Sequence, residues 1–306
     1  MTDSESSRAG FLYGIAAYLL WGAFPLYFTL FTKSSSFEVV AHRAFWSLIF
    51  CALLLTLLRG WGTIRALLRD RRLLLTYTVA GFLVVLNWGT YVYGIEIGRT
   101  LDASLGYFIN PLVTALLGVV VLGERMRRLQ WAAFALAAAA IIVNIVAYGA
   151  FPWIALLLAG SFGAYSLVKK VGGQSVDALS GLAIETAAVA PFALAFILVL
   201  ITTGHSTFTP DGYGALLAST GVVTAVPLLL FAAATRRVTL VTLAILQFMT
   251  PIIVFFQGWL LFDEPLPLSR WVGFILVWAA VVLFIVDIAR TSQGPRVVRR
   301  KRKRTD

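Results

Sequence analysis

The sequence predicts an all-α integral membrane protein with ten transmembrane helices, arranged as two inverted five-helix repeats. Its composition is 60% hydrophobic and 13% charged, and the mean hydropathy of +0.88 is outside the range of ordinary soluble domains. The apolar stretches reach the roughly 20 residues that a helix needs to cross a bilayer. Residues also recur at an offset of 140 positions. Five crossings per copy would turn the second copy upside down relative to the first.

The internal repeat is clearest in the second part of each copy, and a fixed offset of this kind reports on architecture. Eight residues recur without a gap, namely Phe108, Pro111, Gly118, Glu124, Trp131, Phe134, Ala139 and Ala140, which return as Phe248, Pro251, Gly258, Glu264, Trp271, Phe274, Ala279 and Ala280. The predicted organisation is an N-terminal tail (1–9), a first repeat (10–147), an inverted second repeat (151–289) and a basic C-terminal tail (290–306).

The apolar runs place the ten helices along the chain. In order they are 10–32, 37–58, 73–95, 101–122, 128–147, 151–170, 178–202, 212–234, 240–262 and 268–289. Strands are excluded because the runs are too long and lack two-residue alternation. The single cysteine, Cys51, lies inside an apolar run, which excludes a disulfide framework and a thiolate metal site.

The distribution of basic residues predicts the orientation. With both termini in the cytoplasm, 21 of the 25 Lys and Arg residues lie inside, and only Lys33, Arg99 and Arg270 lie in outer loops. This asymmetry is the one that the positive-inside rule describes, and it predicts a multi-pass protein of the plasma (inner) membrane. The basic run 299–304 is interpreted as a tail near anionic lipid headgroups rather than as a nucleic-acid site.

Two charges lie well inside predicted spans, Arg43 in helix two and Glu185 in helix seven. A charge at the bilayer centre costs at least about 2.5–3.5 kcal/mol, so each is a functional candidate. Arg43 lies in the outer half of its helix and Glu185 in the inner half, roughly 15 Å apart in depth. We therefore expect no direct ion pair but two opposite vestibules of one cavity. The alternatives are snorkelling of Arg43 to the headgroups and a structural pairing of Glu185 with Lys169, Lys170 or a neighbouring arginine.

Helices four and nine carry a polar stripe near mid-membrane. Tyr107, Asn110 and Thr114 share one helix face, and the repeat places Gln247 and Thr250 opposite the first two. Prolines in the same region predict helix kinks with freed carbonyls, which lipid tolerates only where protein or a watery cavity satisfies them; these are Pro25, Pro111, Pro227 and Pro251. Kinked polar helices in both halves indicate a substrate site, and the alternative is interhelical polar packing.

The predicted pathway includes further polar and aromatic residues of helices two and three, namely His42, Trp46, Asn87, Trp88 and Tyr91. Glu124 and Glu264, at the ends of helices four and nine, are expected to pair with a loop arginine or to cap the next helix.

No enzyme motif occurs in the chain. There is no His-Glu-x-x-His, Gly-x-Ser-x-Gly or Gly-x-x-x-x-Gly-Lys pattern, so zinc hydrolysis, an esterase elbow and a nucleotide-binding phosphate loop are not expected. We predict no metal, no cofactor and no enzymatic activity. A non-transporting receptor or assembly scaffold remains as the main alternative, and an embedded enzyme as a third.

Around the glutamate turns the sequence resembles the EamA repeat of the drug/metabolite transporter superfamily. The matching residues are Asn110-Pro111, 122–125 and 129–131, echoed by Thr250-Pro251, 262–264 and 271–273. Within that superfamily the chain resembles the RarD permeases, a group named for chloramphenicol sensitivity, in the stretches 21–28, 41–47, 87–88, 104–111 and 222–228. Over about residues 10–290, the resemblance implies ten helices in two inverted repeats, a plasma-membrane location and export of small molecules.

The residues and the resemblance together predict a secondary permease that exports a small polar or amphipathic metabolite or drug by alternating access. Helices one to four and six to nine are expected to surround the cavity. Helices five and ten are left as outer packing or as a homodimer surface, and Glu185 is the candidate for proton coupling.

Overall fold

The computed structural model describes residues 3–123, 126–148, 151–172, 176–210, 212–235, 237 and 246–292. Over these ranges the regular structure is helical and includes no β-strand. The elements are α1 Asp3–Gly22, α2 Phe24–Phe28, α3 Ser36–Leu57, α4 Trp61–Arg69, α5 Arg71–Glu96, α6 Thr100–Leu122, α7 Arg128–Tyr148, α8 Trp153–Gly172, α9 Ala178–Thr202, α10 Gly212–Thr235, α11 Met249–Phe256 with a π-helical turn Gln257–Leu261, and α12 Leu268–Ser292.

Six of these helices contain stretches long and apolar enough to cross a membrane, and all ten predicted segments overlap helix. The six are Ser36–Leu57, Arg71–Glu96, Thr100–Leu122, Ala178–Thr202, Gly212–Phe231 and Arg270–Asp287. Three shorter apolar stretches are Arg128–Val143, Trp153–Val168 and Met249–Leu261. The exposed apolar side chains on their outer surfaces, such as Leu57 and Val282, need a non-aqueous surrounding.

The helix bounds depart from the sequence-based prediction at the start of α1 and at α4. Helix α1 begins at Asp3, so most of the predicted N-terminal tail is helical. Helix α4 was not predicted; it buries Ile64 and Leu67 and exposes Arg65 and Arg69, which is the pattern of an interfacial amphipathic helix. The predicted start of helix nine, at 240–245, and the tail 293–306 lie outside the described residues.

The first predicted span is interrupted between α1 and α2. Pro25 lies in the first turn of α2, where its missing N–H breaks no helical hydrogen bond. The Gly22 carbonyl at the end of α1 accepts a hydrogen bond from Gln257 Nε2 at 2.8 Å. Gln257 begins the π-helical turn after α11. The carbonyl that the break after α1 exposes is thus hydrogen-bonded by a side chain of the π-helical turn after α11.

Helices from the two halves of the chain alternate around a ring. In order around it, each of the eight helices packs against the next: α1, α10, α3, α9, α5, α8, α6, α11 and again α1. Every one of these junctions joins a helix of residues 3–123 to one of residues 151–261. Helices α7 and α12 pack against each other beside α6. The prediction that helices five and ten stand outside the cavity agrees with this arrangement.

Glycines set the closest approaches between neighbours in the ring. A Cβ atom on Gly81 of α5 would lie 2.5 Å from the Glu185 carbonyl oxygen of α9. Added to Gly221 of α10, it would lie 2.4 Å from the Trp46 backbone of α3. Small residues allow membrane helices to approach until their backbones touch, so these contacts determine the spacing of the ring.

Glu264 ties the two halves together at one rim of the ring. Its carboxylate accepts the backbone N–H groups of Thr100 at 2.5 Å and Leu101 at 2.9 Å, and so caps α6. Burial raises the pKa of the Glu264 carboxyl above its usual value, although these N–H groups and Arg270 oppose the shift. The expectation that it caps the next helix is wrong, because the capped helix is in the other half. Glu124 lies outside the described residues.

We expect Gly81→Ala to destabilise the protein, because its methyl group has only backbone to displace. Overpacking of this kind costs about 1–3 kcal/mol, or about 2 °C or more in melting temperature for a chain of this size. The measurement is thermal unfolding in detergent. The control is Gly89→Ala in the same helix, where nothing lies within 4 Å of the new atom. Equal melting temperatures for the two variants would contradict the close contact.

Candidate functional site

Arg43 is the most buried cation of the ring. Its side chain projects from α3, and the residue is only 3% exposed. Its Nε donates a hydrogen bond to Thr224 Oγ1 of α10 at 2.7 Å. The guanidinium carbon lies 4.2 Å from the centroid of the Trp88 ring, 5.3 Å from that of Phe24 and 5.5 Å from that of Phe28. The head group therefore lies in an aromatic cage between α2, α3, α5 and α10 and does not reach outward to a membrane surface.

The positive charge of Arg43 has no carboxylate counterpart among the described residues. The ion pairs recorded there join Arg99 and Arg270 to Asp102, and Arg127 to Asp287. A desolvated cation–π contact contributes about 2 kcal/mol, whereas burying an ion costs several kcal/mol even after relaxation. The cage lowers the cost of this charge without neutralising it.

Tyr91 and Tyr107 extend the aromatic cage toward α6. Their ring centroids are 5.5 Å apart, and the Tyr91 ring lies 6.1 Å from Phe28. The Tyr91 hydroxyl is buried and has no hydrogen-bond partner within the described part of the chain. Both tyrosines and Tyr27 are close enough to act on Arg43 electrostatically. The predicted residues Arg43, Trp88, Tyr91 and Tyr107 are therefore brought together.

Asn87, one turn from Tyr91, has a different environment. Its Nδ2 donates to the Leu158 carbonyl and to Ser161 Oγ of α8, each at 3.0 Å. The residue is 2% exposed. Both contacts hold α5 against α8, so the Asn87 side chain is engaged in interhelical packing in this structure.

The polar stripe of α6 and α11 is also largely bonded to protein. Thr114 Oγ1 donates to Asn110 Oδ1 at 3.3 Å. Thr250 Oγ1 donates to the Tyr18 carbonyl at 3.0 Å, which joins α11 to α1. Gln247 is half-buried just before α11.

His42 and Trp46 form a second aromatic group, separate from the cage. Trp46 Nε1 donates to His42 Nδ1 at 3.2 Å, and the Phe208 ring stacks on His42 at 5.2 Å. The loop that carries Phe208 is held by Glu38, which accepts the Thr207 N–H at 2.7 Å. These contacts dock loop 203–210 on α3, so His42 and Trp46 lie at the rim rather than beside Arg43.

Glu185 lies in the wall between α9, α8 and α5. The residue is 1% exposed, and its Oε2 accepts a hydrogen bond from the Tyr165 hydroxyl at 3.2 Å. It makes no ion pair with Arg43. The side chains of Lys169 and Lys170 lie outside the described part of the structure. The two intramembrane charges thus occupy distinct surroundings.

The four prolines differ in their effect on the helices. Helices α6 and α10 run without interruption past Pro111 and Pro227. Pro25 and Pro251 lie in the first turns of α2 and α11. The Pro251 carbonyl accepts the Ser104 hydroxyl at 2.8 Å.

Sequence reasoning missed three residues of this region, Phe24, Phe28 and Gln257. The first two stand four positions apart on α2, which puts them on one helix face, and that spacing around Pro25 was the available signal. Gln257 carried no signal, because its role depends on the π-helical turn. Such turns occur frequently at functional sites.

The arrangement offers a buried cation, aromatic faces and one unpaired hydroxyl. These groups are suited to binding an organic solute, and no group of three or more His, Cys, Asp or Glu side chains that could hold a metal ion occurs among the residues described.

The chain is similar to known proteins over nearly its whole length. The model of the EamA-like transporter family matches residues 8–146 and 151–286. Protein RarD of Streptomyces exfoliatus is 46% identical over 298 residues, covering 97% of this chain and 94% of that protein. Protein RarD of Escherichia coli K12 is 36% identical over 293 residues, covering 95% of this chain and 98% of that protein.

A solved crystal structure shares the fold at 16% identity. Its TM-score is 0.60, and the match covers 93% of this chain and 99% of the other. The family match spans nearly the whole chain, and in the described part of it six helices are apolar enough to cross a membrane. The chain belongs to the EamA-like transporter family and is a multi-pass membrane protein with a transporter role.

Proposed function

We propose that this protein is a secondary active transporter that exports a small polar or amphipathic metabolite or drug by alternating access. The observation that carries the proposal is the position of Arg43, buried in an aromatic cage where helices of the two halves alternate. A rocking of one half against the other would change every junction of the ring and expose this site to each side in turn.

We further propose that residues 10–147 and 151–289 are two five-helix repeats of opposite orientation, giving ten crossings. The two separate family matches, 8–146 and 151–286, support this division, as does the alternation of halves in the ring. The charge asymmetry of the loops supports cytoplasmic termini in an inner membrane. The lipid-facing side of α7 and α12 is the surface on which a homodimer would form.

The orientation is tested by cysteine labelling in a Cys51→Ser background. We expect Thr32→Cys and His205→Cys, both at exposed positions, to react with an impermeant maleimide added to intact cells. Arg65→Cys, on the exposed face of α4, should react only after the cells are opened. Labelling of all three in opened cells is the control, and the reverse pattern in intact cells would contradict the orientation.

Export is tested by comparing metabolites inside and outside cells that overproduce the protein with those of a deletion strain. We expect at least one small solute to move from the inside to the outside pool with the wild-type protein. Arg43→Ala should abolish this change at equal membrane abundance, because it removes the caged cation. The same metabolite profile for wild type, variant and deletion strain would argue against export.

Glu185 is the proposed site of proton coupling. It is a buried carboxylate bonded to Tyr165, and protonation would lower the cost of keeping it in a dry environment. Its protonation would bias one facing state of the ring only if that state binds the proton more tightly.

We expect Glu185→Gln, which mimics the protonated carboxyl, to keep exchange of the exported solute in proteoliposomes. Accumulation driven by a pH gradient should be lost. Melting temperature in detergent is the control for folding. A well-folded Glu185→Gln protein that still accumulates the solute at the wild-type rate would remove Glu185 from the coupling mechanism.

A further inference from the structure

We infer that the solute bound at this site is an organic monoanion, with a carboxylate held by Arg43 and a flat apolar part against Tyr91 and Tyr107. This inference rests on the proposed function, because it names the chemical class that the transporter would carry. It follows from the contacts of Arg43, from the Tyr91 hydroxyl and from the shape of the cage.

The first support is the state of the guanidinium fork. Arg43 Nε is held by Thr224, which fixes the plane of the group. No hydrogen bond or ion pair to a described residue engages either Nη atom. A guanidinium presents paired N–H donors that match the two oxygens of a carboxylate. The two Nη atoms together present such a pair of donors, and they have no described partner.

The buried carboxylates of the ring are already engaged elsewhere. Glu38, five residues before Arg43 on α3, binds Ser206 and Thr207. Glu185 accepts from Tyr165. Among the described residues no carboxylate is left to match the positive charge, so a ligand is the group that would match it. One monoanion neutralises it, whereas a dianion such as phosphate would leave an excess negative charge in a desolvated site.

The second support is independent of charge. Tyr91 is 3% exposed, yet its hydroxyl has no hydrogen-bond partner within the described part of the chain. A buried hydroxyl without a partner costs free energy and calls for an explanation. Its ring neighbours Tyr107, whose residue is only half-buried. A ligand oxygen beside Tyr91 would accept a hydrogen bond from this hydroxyl. The rings of Tyr91 and Tyr107 would cover an apolar group of the ligand.

The test is thermal unfolding of the full-length protein in detergent with defined probes. Sodium 3-phenylpropanoate at millimolar concentration should raise the melting temperature by about 2 °C or more. The neutral isostere 3-phenylpropanamide should not, and acetate, which lacks the ring, should give a smaller shift. Sodium chloride at equal ionic strength is the salt reference. An equal shift with chloride, or no shift with the aryl carboxylate, would overturn the inference.

Variants locate the effect. Arg43→Gln should abolish the difference between carboxylate and amide, Arg43→Lys should keep part of it, and Tyr91→Phe should weaken carboxylate binding several-fold. The matched control is Arg99→Gln, which removes another arginine that pairs with Asp102; the difference should remain there. A carboxylate preference that survives in a folded Arg43→Gln protein would place the anion elsewhere and contradict the assignment.

Binding in detergent needs neither a membrane nor a gradient, so the two proposals fail separately. Carboxylate binding without any export from cells would leave the anion site standing and remove the transport proposal. Export without any preference for the carboxylate over the amide would remove the anion site and leave the transport proposal standing.

Discussion

Close approach between helices of opposite halves is the constraint on which the rest of this structure depends. Lipid supplies no hydrophobic force between helices, so their association relies on dispersion contacts and on hydrogen bonds between helices. Gly81 against the Glu185 backbone and Gly221 against the Trp46 backbone allow that approach. Because the halves alternate around the ring, neither half encloses a cavity by itself. Any movement of one half therefore acts on all junctions together.

The ring buries Arg43 away from water, and this burial determines how its guanidinium interacts. A guanidinium at a surface would be hydrated, and its contacts would contribute little. Inside the cage of Phe24, Phe28 and Trp88, the described contacts of the same group are three aromatic faces and the Thr224 hydroxyl, none of which carries a negative charge. Proteins retain such a destabilising arrangement where binding or transport needs it. The cage thus links helix packing directly to the chemistry of the solute that we propose for this site.

The irregular helices are joined to each other across the ring. The break after α1 exposes the Gly22 carbonyl, and the π-helical turn after α11 supplies the Gln257 amide that binds it. About two turns before Gln257, Thr250 donates a hydrogen bond to the Tyr18 carbonyl of α1. Backbone groups freed inside a membrane need such partners. Since a hydrogen bond joins the two interruptions, a conformational change at one alters the contacts of the other. This is the property expected of paired hinges.

Much of the helix pattern was predictable from the chain alone. The bounds of α9 agree with the prediction, and those of α3, α6 and α10 agree within one residue at each end, because apolar run length and flanking polar residues act locally. The amphipathic helix α4 was missed, since it is too short and too charged to be recognised as a span. Glu264 was recognised as structural, but the helix that it caps, α6, begins 164 positions away from it.

The sequence by itself determined where the apolar helices lie, that the chain repeats, and that Arg43 and Glu185 are the charges placed within spans. The positions of the helices and of these charges follow from the free energies of transfer of single residues between water and lipid. Only the tertiary structure decided which polar residues bind protein and which remain available. Asn87 is bonded to α8, whereas the Tyr91 hydroxyl has no hydrogen-bond partner among the residues that the structure describes. Arg43 donates a hydrogen bond to Thr224, 181 positions away. Contacts of this kind depend on which helices of the opposite halves become neighbours, and local sequence does not determine that.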